Sequence, residues 1–265
     1  MIFFAALSLS VELCEANPFV RFSTNLGNFT VELFEDSMPV TVANFLGYVR
    51  SGRYARSFFH RSTTYNPSTI QIVQGGGFFL SNNNSIEPVV ADLPIALEPG
   101  PSHVRGTIAM ARTNDPNSAT SQWFFNVTDN PALDFNYAVF GRIVGPEGLS
   151  ILDAIGAVPV YDASVQLGGV FAELPLIEPS LVASSLVSVE SVDEISLGIS
   201  SQSMDSEGFR INWSTSPPGL PVSVQRCADL GGAAEWVSIS SNNTTGTFTD
   251  MERPTSRGFY RIVFP

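Results

Sequence analysis

Between residues 19 and 192 the chain runs in short stretches of alternating apolar and polar residues, most of them bounded by Gly, Pro, Asn or Ser. Residues 19–23 and 28–34 alternate as half-buried strands do, and Asn25-Leu26-Gly27 between them is a hairpin signal. Residues 39–50 instead place Val42, Phe45, Leu46 and Val49 on one face at helical spacing, with Gly52 positioned to stop the helix. Further strands are expected at 70–74, 106–111, 122–127 and 137–144, a second helix at 148–155, and a last strand within 181–192. Two helices among so many short strands predict a mainly β domain closed into an antiparallel barrel. Closure removes the edges that would otherwise pair with other chains.

Residues 193–207 turn polar and Ser-rich, and a domain boundary is expected there. The strand pattern then restarts at 211–213, 222–225, 236–239, 247–249 and 259–264, which predicts a small β-sandwich over 195–265. Residues 1–16 open on the apolar run Ile2-Phe3-Phe4-Ala5-Ala6-Leu7 and end on Ala16 before Asn17-Pro18, like the back half of a secretory signal peptide. They lack a basic start, and Glu12 interrupts the apolar run. A secreted or periplasmic protein with a barrel domain over 17–194 is expected, the alternatives for 1–16 being a buried N-terminal strand or a mis-assigned start.

Lys and Arg number 13 against 25 Asp and Glu, and the net charge of −12 would repel phosphate backbones and anionic membranes. Nucleic acid is therefore not an expected partner. No stretch reaches the about 20 apolar residues that a membrane span needs. Cys14 and Cys227 give no disulfide framework, and His60 and His103 lie far apart without Cys or paired carboxylates around them. No metal and no cofactor is expected, and no feature specifies a dimer, so a monomer is expected.

Phe58-Phe59-His60-Arg61, Gln74-Gly75-Gly76-Gly77-Phe78 and Ser121-Gln122-Trp123-Phe124-Phe125 set one arginine, two glutamines and several aromatics among the strands. That combination predicts a shallow apolar groove with a few fixed hydrogen-bonding groups. Together with Met110-Ala111-Arg112, Ala132-Leu133-Asp134 and the stretch from Tyr137 to Gly141, these segments resemble the cyclophilin family of peptidyl-prolyl cis-trans isomerases over residues 19–192. The form with Arg112 is familiar among bacterial members. The resemblance implies an eight-stranded closed barrel with a helix over each end. It implies Arg61 as the catalytic group, oriented by Gln74, and a substrate site drawn from His60, Ile72, Met110, Ala111, Arg112, Gln122, Phe124, Leu133 and Tyr137. Gln71 stands where the family carries a pocket phenylalanine, so one wall of the site is expected to be polar unless Tyr65 or Ile70 refills it from a long 62–69 loop. Gly77 replaces a common Asp, and Ala132 stands where other members have Trp or Phe.

Amide resonance opposes rotation about an X–Pro bond with a barrier of about 18–20 kcal/mol, and uncatalysed exchange takes on the order of 10–100 s. Lowering that barrier needs neither nucleophile nor metal. A fixed donor aimed at the prolyl nitrogen, whose lone pair is free only in the twisted state, is enough. The guanidinium of Arg61 offers such donors in a rigid fork. The expected partners are proline-containing peptides and unfolded proteins. The alternative is a module of the same fold that binds proline peptides without catalysis. The C-terminal pattern resembles accessory modules of secreted bacterial proteins, compatible with either reading.

Overall fold

The computed structural model describes residues 17–65, 70–204, 208–216, 218, 220, 222–227, 235–252 and 259–263. The expected leader at 1–16, the end of the 62–69 loop and the last residue of the expected strand 259–264 lie outside them. The described chain is mainly β. Its elements are β1 (Phe19–Thr24), β2 (Gly27–Leu33), α1 (Pro39–Arg50), β3 (Ser57–Phe58), β4 (Arg61–Ser62), β5 (Ile72–Gly75), β6 (Phe78–Leu80), β7 (Ile86–Pro88), β8 (Thr107–Met110), β9 (Trp123–Asn126), β10 (Val139–Val144) and α2 (Gly145–Gly156). There follow β11 (Val160–Tyr161), α3 (Ser164–Leu167), β12 (Leu174–Pro175), β13 (Ser188–Met204), β14 (Phe209–Ser216), β15 (Val222–Cys227), β16 (Val237–Asn243), β17 (Thr247–Asp250) and β18 (Phe259–Val263). Two compact units divide between Glu194 and Ile195.

In the first unit the strands pair in the order β4-β5-β9-β8-β10-β2-β1-β13-β3-β6-β7. Alternation explains the pairing of β1 with β2: Val20 faces Val31 and Phe22 faces Phe29 across the ladder, and all four are buried. The order has two free ends, β4 and β7, so it is not the closed ring of ladders expected from the sequence. The reason lies at Phe59-His60. Ser57-Phe58 pair with the start of β13, and Phe59 N–H still donates to the Val187 carbonyl at 3.0 Å. His60 N–H then donates to the Gln74 carbonyl at 2.9 Å, and Arg61-Ser62 pair with β5. The segment 57–62 thus leaves one neighbour for another, and no single ladder crosses the change.

Helix α1 has Pro39 in its first turn, where the missing N–H is no loss. The free N–H groups of Val40 and Thr41 donate to the Glu98 carboxylate at 3.1 and 2.7 Å. Its buried face contains Val42, Phe45, Leu46 and Val49. Helix α2 is longer than the expected 148–155 because Pro146 already fits its first turn. The expected strand within 181–192 begins only at Ser188, since Ala183–Ser185 forms a 3-10 turn.

The core of this unit is aromatic. Phe22 stacks on Phe29 at 5.1 Å and meets Trp123 and Phe125 edge-on at 5.2 and 5.4 Å. Each such side chain contributes about 1.5–3 kcal/mol by burial, and each ring pair about 0.5–1.5 kcal/mol more. Trp123 is wholly buried, and its indole lies against Gly75-Gly76. A Cβ on Gly76 would stand 2.6 Å from the indole Nε1 and 2.7 Å from the Ser121 carbonyl, at a backbone φ of +73°.

In the second unit β13, from Ser196 on, pairs with β14, which pairs with β17. A separate sheet has the order β16-β15-β18. Phe209, Ile211 and Trp213 share one buried cluster with Val222, Val224, Tyr260 and Ile262.

Gly76→Ala is expected to destabilise the first unit by about 2–4 kcal/mol, combining backbone strain and overpacking. Calorimetry on the full chain would then place its transition lower by roughly 5–15 °C. A transition within 1 °C of the wild type, on the order of 0.5 kcal/mol, would show that the Trp123 seat is not tight.

Candidate active site

Cross-strand register assembles the site. Arg61 on β4 pairs with Gln74 on β5, Gln74 with Phe124 on β9, Phe124 with Ala109 on β8, and Ala109 with Val139 on β10. One row across the sheet therefore carries the arginine, the glutamine and the phenylalanine. The alternation of each strand decides what faces them. On β9 Trp123 and Phe125 enter the main core while Phe124 joins a separate cluster with Ile72, Ala109, Leu133 and Val139. On β5 Val73 enters the core, and Ile72 and Gln74 face the other way.

A cavity of about 540 Å³ lies over this row. Its lining includes His60, Arg61, Ile72, Gln74, Ala111, Arg112, Gln122, Phe124, Leu133 and Tyr137. Two residues expected in the site do not line it. Met110 is buried in the main core, because the parity that sends Ala109 to the pocket cluster sends Met110 inward with Ile108. Gln71 shares the parity of Val73 rather than of Ile72. Its N–H donates to Asn130 Oδ1 at 3.1 Å, and its carbonyl accepts from Asn130 Nδ2 at 3.0 Å. Of the two residues expected to refill the wall at Gln71, Ile70 lines the cavity and Tyr65 does not, and Thr63 lines it as well.

Phe124 forms the floor, almost parallel to the His103 ring at 5.7 Å and edge-on to Tyr137 at 5.6 Å. Arg112 lies over the Tyr137 ring at 4.7 Å, and its Nε donates to the Asn136 carbonyl at 2.7 Å, which ties this side chain to the rim. Ala111 N–H donates to the Gln122 carbonyl at 2.9 Å. Gln74 Nε2 donates to Gln122 Oε1 at 2.8 Å. The side chain bonded to Arg61 is not Gln74 but Glu173, whose Oε2 accepts from Arg61 Nε at 2.7 Å.

His60 is buried beside Arg61 and meets Phe78 edge-on at 5.1 Å. Its Nδ1 has no partner among the described residues. Burial, with a smaller push from the Arg61 charge and opposed by a hydrogen bond with Gln122, lowers its pKa to about 4. His60 is thus neutral near pH 7, and the charge at this end of the cavity belongs to Arg61 and Glu173.

Several lining residues escaped the sequence reading: Thr63, Phe78 and the wall formed by Gly169, Val170, Ala172 and Glu173. Thr63 follows the arginine motif by two residues, and Phe78 closes the Gln74 motif, so both were within reach of the pattern. The 169–173 wall carries no motif and comes to the site only by tertiary packing. Among the described residues no group of three or more His, Cys, Asp or Glu could hold a metal. No described helix is long and apolar enough to cross a membrane.

The site is thus a cleft on the sheet face opposite the main core, lined by Phe124 and Tyr137 and carrying an arginine paired with a glutamate. The model of the cyclophilin type peptidyl-prolyl cis-trans isomerase family matches residues 19–170. A peptidyl-prolyl cis-trans isomerase of Acinetobacter baylyi is 40% identical over 149 residues, which span 54% of this chain and 74% of that protein. Peptidyl-prolyl cis-trans isomerase B of Escherichia coli is 38% identical over 149 residues, spanning 52% of this chain and 84% of that protein. A solved cyclophilin type isomerase of Cryptosporidium parvum, crystallised with the dipeptide Ala-Pro, shares the fold with a TM-score of 0.50 at 23% identity, covering 66% of this chain and 97% of that one. The chain belongs to the cyclophilin-type peptidyl-prolyl cis-trans isomerase family.

In the unfolded chain His60 takes a proton near pH 6.5, in the folded protein only near pH 4. Between those values the unfolded state holds more protons, so stability is full above pH 6.5 and falls as the pH is lowered towards 4. The expected loss across that window is about 3 kcal/mol. Urea unfolding of wild type and His60→Gln at pH 7 and pH 4.5 measures it. An equal pH dependence in the two proteins would refute this role of His60.

Proposed function

We propose that the chain is a peptidyl-prolyl cis-trans isomerase acting on X–Pro bonds of exported proteins as they fold. The observation that carries this reading is the single cross-strand row that sets Arg61 and the Phe124 floor in one cavity. In the mechanism this supports, the proline ring rests on Phe124 between Ile72, Leu133 and Tyr137. Backbone groups at Ala111 and Arg112 and the Gln122 amide hold the peptide on one side of the bond. The Nη donors of Arg61 stabilise the pyramidal prolyl nitrogen of the twisted state, in which amide resonance is lost. The barrier falls because this contact is stronger in the twisted state than in the planar ground state.

In the same reading 17–194 is the isomerase domain. Its sheet is an eight-stranded barrel in which the segment 57–62 counts as one strand, bridging β13 and β5. Support comes from the two backbone hydrogen bonds at Phe59 and His60. Residues 195–265 form a small β-sandwich accessory module, an assignment supported by two ladders sharing one apolar cluster. Export, to the periplasm or outside the cell, is supported by the apolar start of the sequence. The reading takes the protein as a monomer.

The test is the cis-to-trans rate of a short X–Pro peptide, followed by exchange NMR with the full chain. Arg61→Ala is expected to lower kcat/KM by about 100-fold or more, the scale of losing one preorganised donor, while leaving the thermal transition in place. A folded wild-type protein that does not accelerate exchange would leave the non-catalytic proline-peptide module as the reading.

A further inference from the structure

The family match ends at residue 170, yet the cavity wall continues beyond it through Ala172 and Glu173. This stretch is anchored by its own small core. Phe171 packs against Phe58 at 6.4 Å and Phe78 at 4.8 Å, and Leu174 and Leu176 are buried in the same cluster. The Glu173 carbonyl accepts the Ser62 N–H at 2.8 Å, directly beside Arg61 in sequence. With buried side chains on either side and a backbone bond to β4, the position of the Glu173 backbone does not depend on its own carboxylate.

That carboxylate is used twice. Oε2 accepts Arg61 Nε at 2.7 Å, and Oε1 accepts the Tyr65 hydroxyl at 3.0 Å. Bonding at Nε leaves both Nη groups of Arg61, a residue that lines the cavity, without an acceptor among the described residues. We propose that Glu173 is a positioning residue for the isomerisation: it holds the guanidinium by its Nε edge so that the Nη donors are preorganised for the prolyl nitrogen. An arginine not so held spreads over many rotamers, and a donor must already be aimed when the twisted state forms. The Gln74 amide, which donates to Gln122, leaves this task to Glu173. The proposal rests on the isomerase reading above.

The test measures kcat and KM separately for wild type, Glu173→Ala, Glu173→Gln, Arg61→Ala and the Arg61→Ala/Glu173→Ala double variant, all as full chains on one X–Pro peptide. Glu173→Ala is expected to lower kcat about tenfold, a typical coupling for residues in direct contact, with KM changed by less than about twofold, since it acts on the donor and not on binding. Glu173→Gln keeps an acceptor for Nε and is expected within about threefold of wild type. In the Arg61→Ala background Glu173→Ala should change nothing further. A kcat for Glu173→Ala at or above wild type would overturn the proposal and make Glu173 a competitor for Arg61. A tenfold loss that persists in the Arg61→Ala background would overturn it in favour of a purely structural role. Should Glu173→Ala fail to fold, Glu173→Asp, which keeps the charge but shortens the reach, carries the same expectation and the same refutations. An inactive wild type sinks the isomerase reading itself, whereas activity lost in Arg61→Ala but untouched by Glu173→Ala sinks only this proposal.

Discussion

The site depends on the antiparallel register that sets Arg61 opposite Gln74 and Gln74 opposite Phe124. Side chains on a strand alternate between faces, so a slip by one residue on any of these strands would exchange the pocket face for the core face. On β9 such a slip would send Phe124 inward and bring Trp123 or Phe125 out into solvent. The aromatic core prevents it. Phe22, Phe29, Trp123 and Phe125 form a chain of ring contacts at 5.1–5.5 Å between centres, and all four are buried. Core packing thus locks the register, and the register places the chemistry.

Trp123 connects the two most directly. Its indole seats against Gly75-Gly76, immediately after Gln74, while its chain neighbours are Gln122 and Phe124 at the cavity. Tyr54 donates its hydroxyl to the Ser121 carbonyl at 2.6 Å and holds the same stretch from below. The glutamine pair above, Gln74 to Gln122, closes on a base that core residues have already fixed. The glutamine pair is therefore fixed from the core side, the kind of preorganisation that a barrier-lowering site requires.

Electrostatics narrow the chemistry further. His60, although next to Arg61, is kept neutral by burial, so it adds no charge that would compete with the guanidinium. Arg112 spends its Nε on the rim carbonyl of Asn136 and its charge on the Tyr137 ring. Its Nη1 donates to the Thr113 carbonyl at 2.8 Å, so it is tied to the rim by two groups, whereas Arg61, which also lines the cavity, has Glu173 as its single described acceptor and keeps both Nη groups without a described one.

The sequence by itself determined the period-two runs, the helical face of Val42, Phe45, Leu46 and Val49, and the motif residues that surround the cavity. These are local properties, readable because alternation and helical spacing follow from backbone geometry alone. It also misled where local reading stops. Met110 and Gln71 belong to motifs that border the site, yet strand parity turns Met110 into the core and an Asn130 clamp takes the backbone of Gln71. The change of partner at Phe59-His60 depends on two carbonyls, those of Val187 and Gln74, that lie far from it and from each other along the chain. Only the tertiary structure decided that Glu173, 112 residues from Arg61, is the acid that meets it. No local pattern announces such a pair, because it is made by the packing of Phe171 and Leu174 into a second small core.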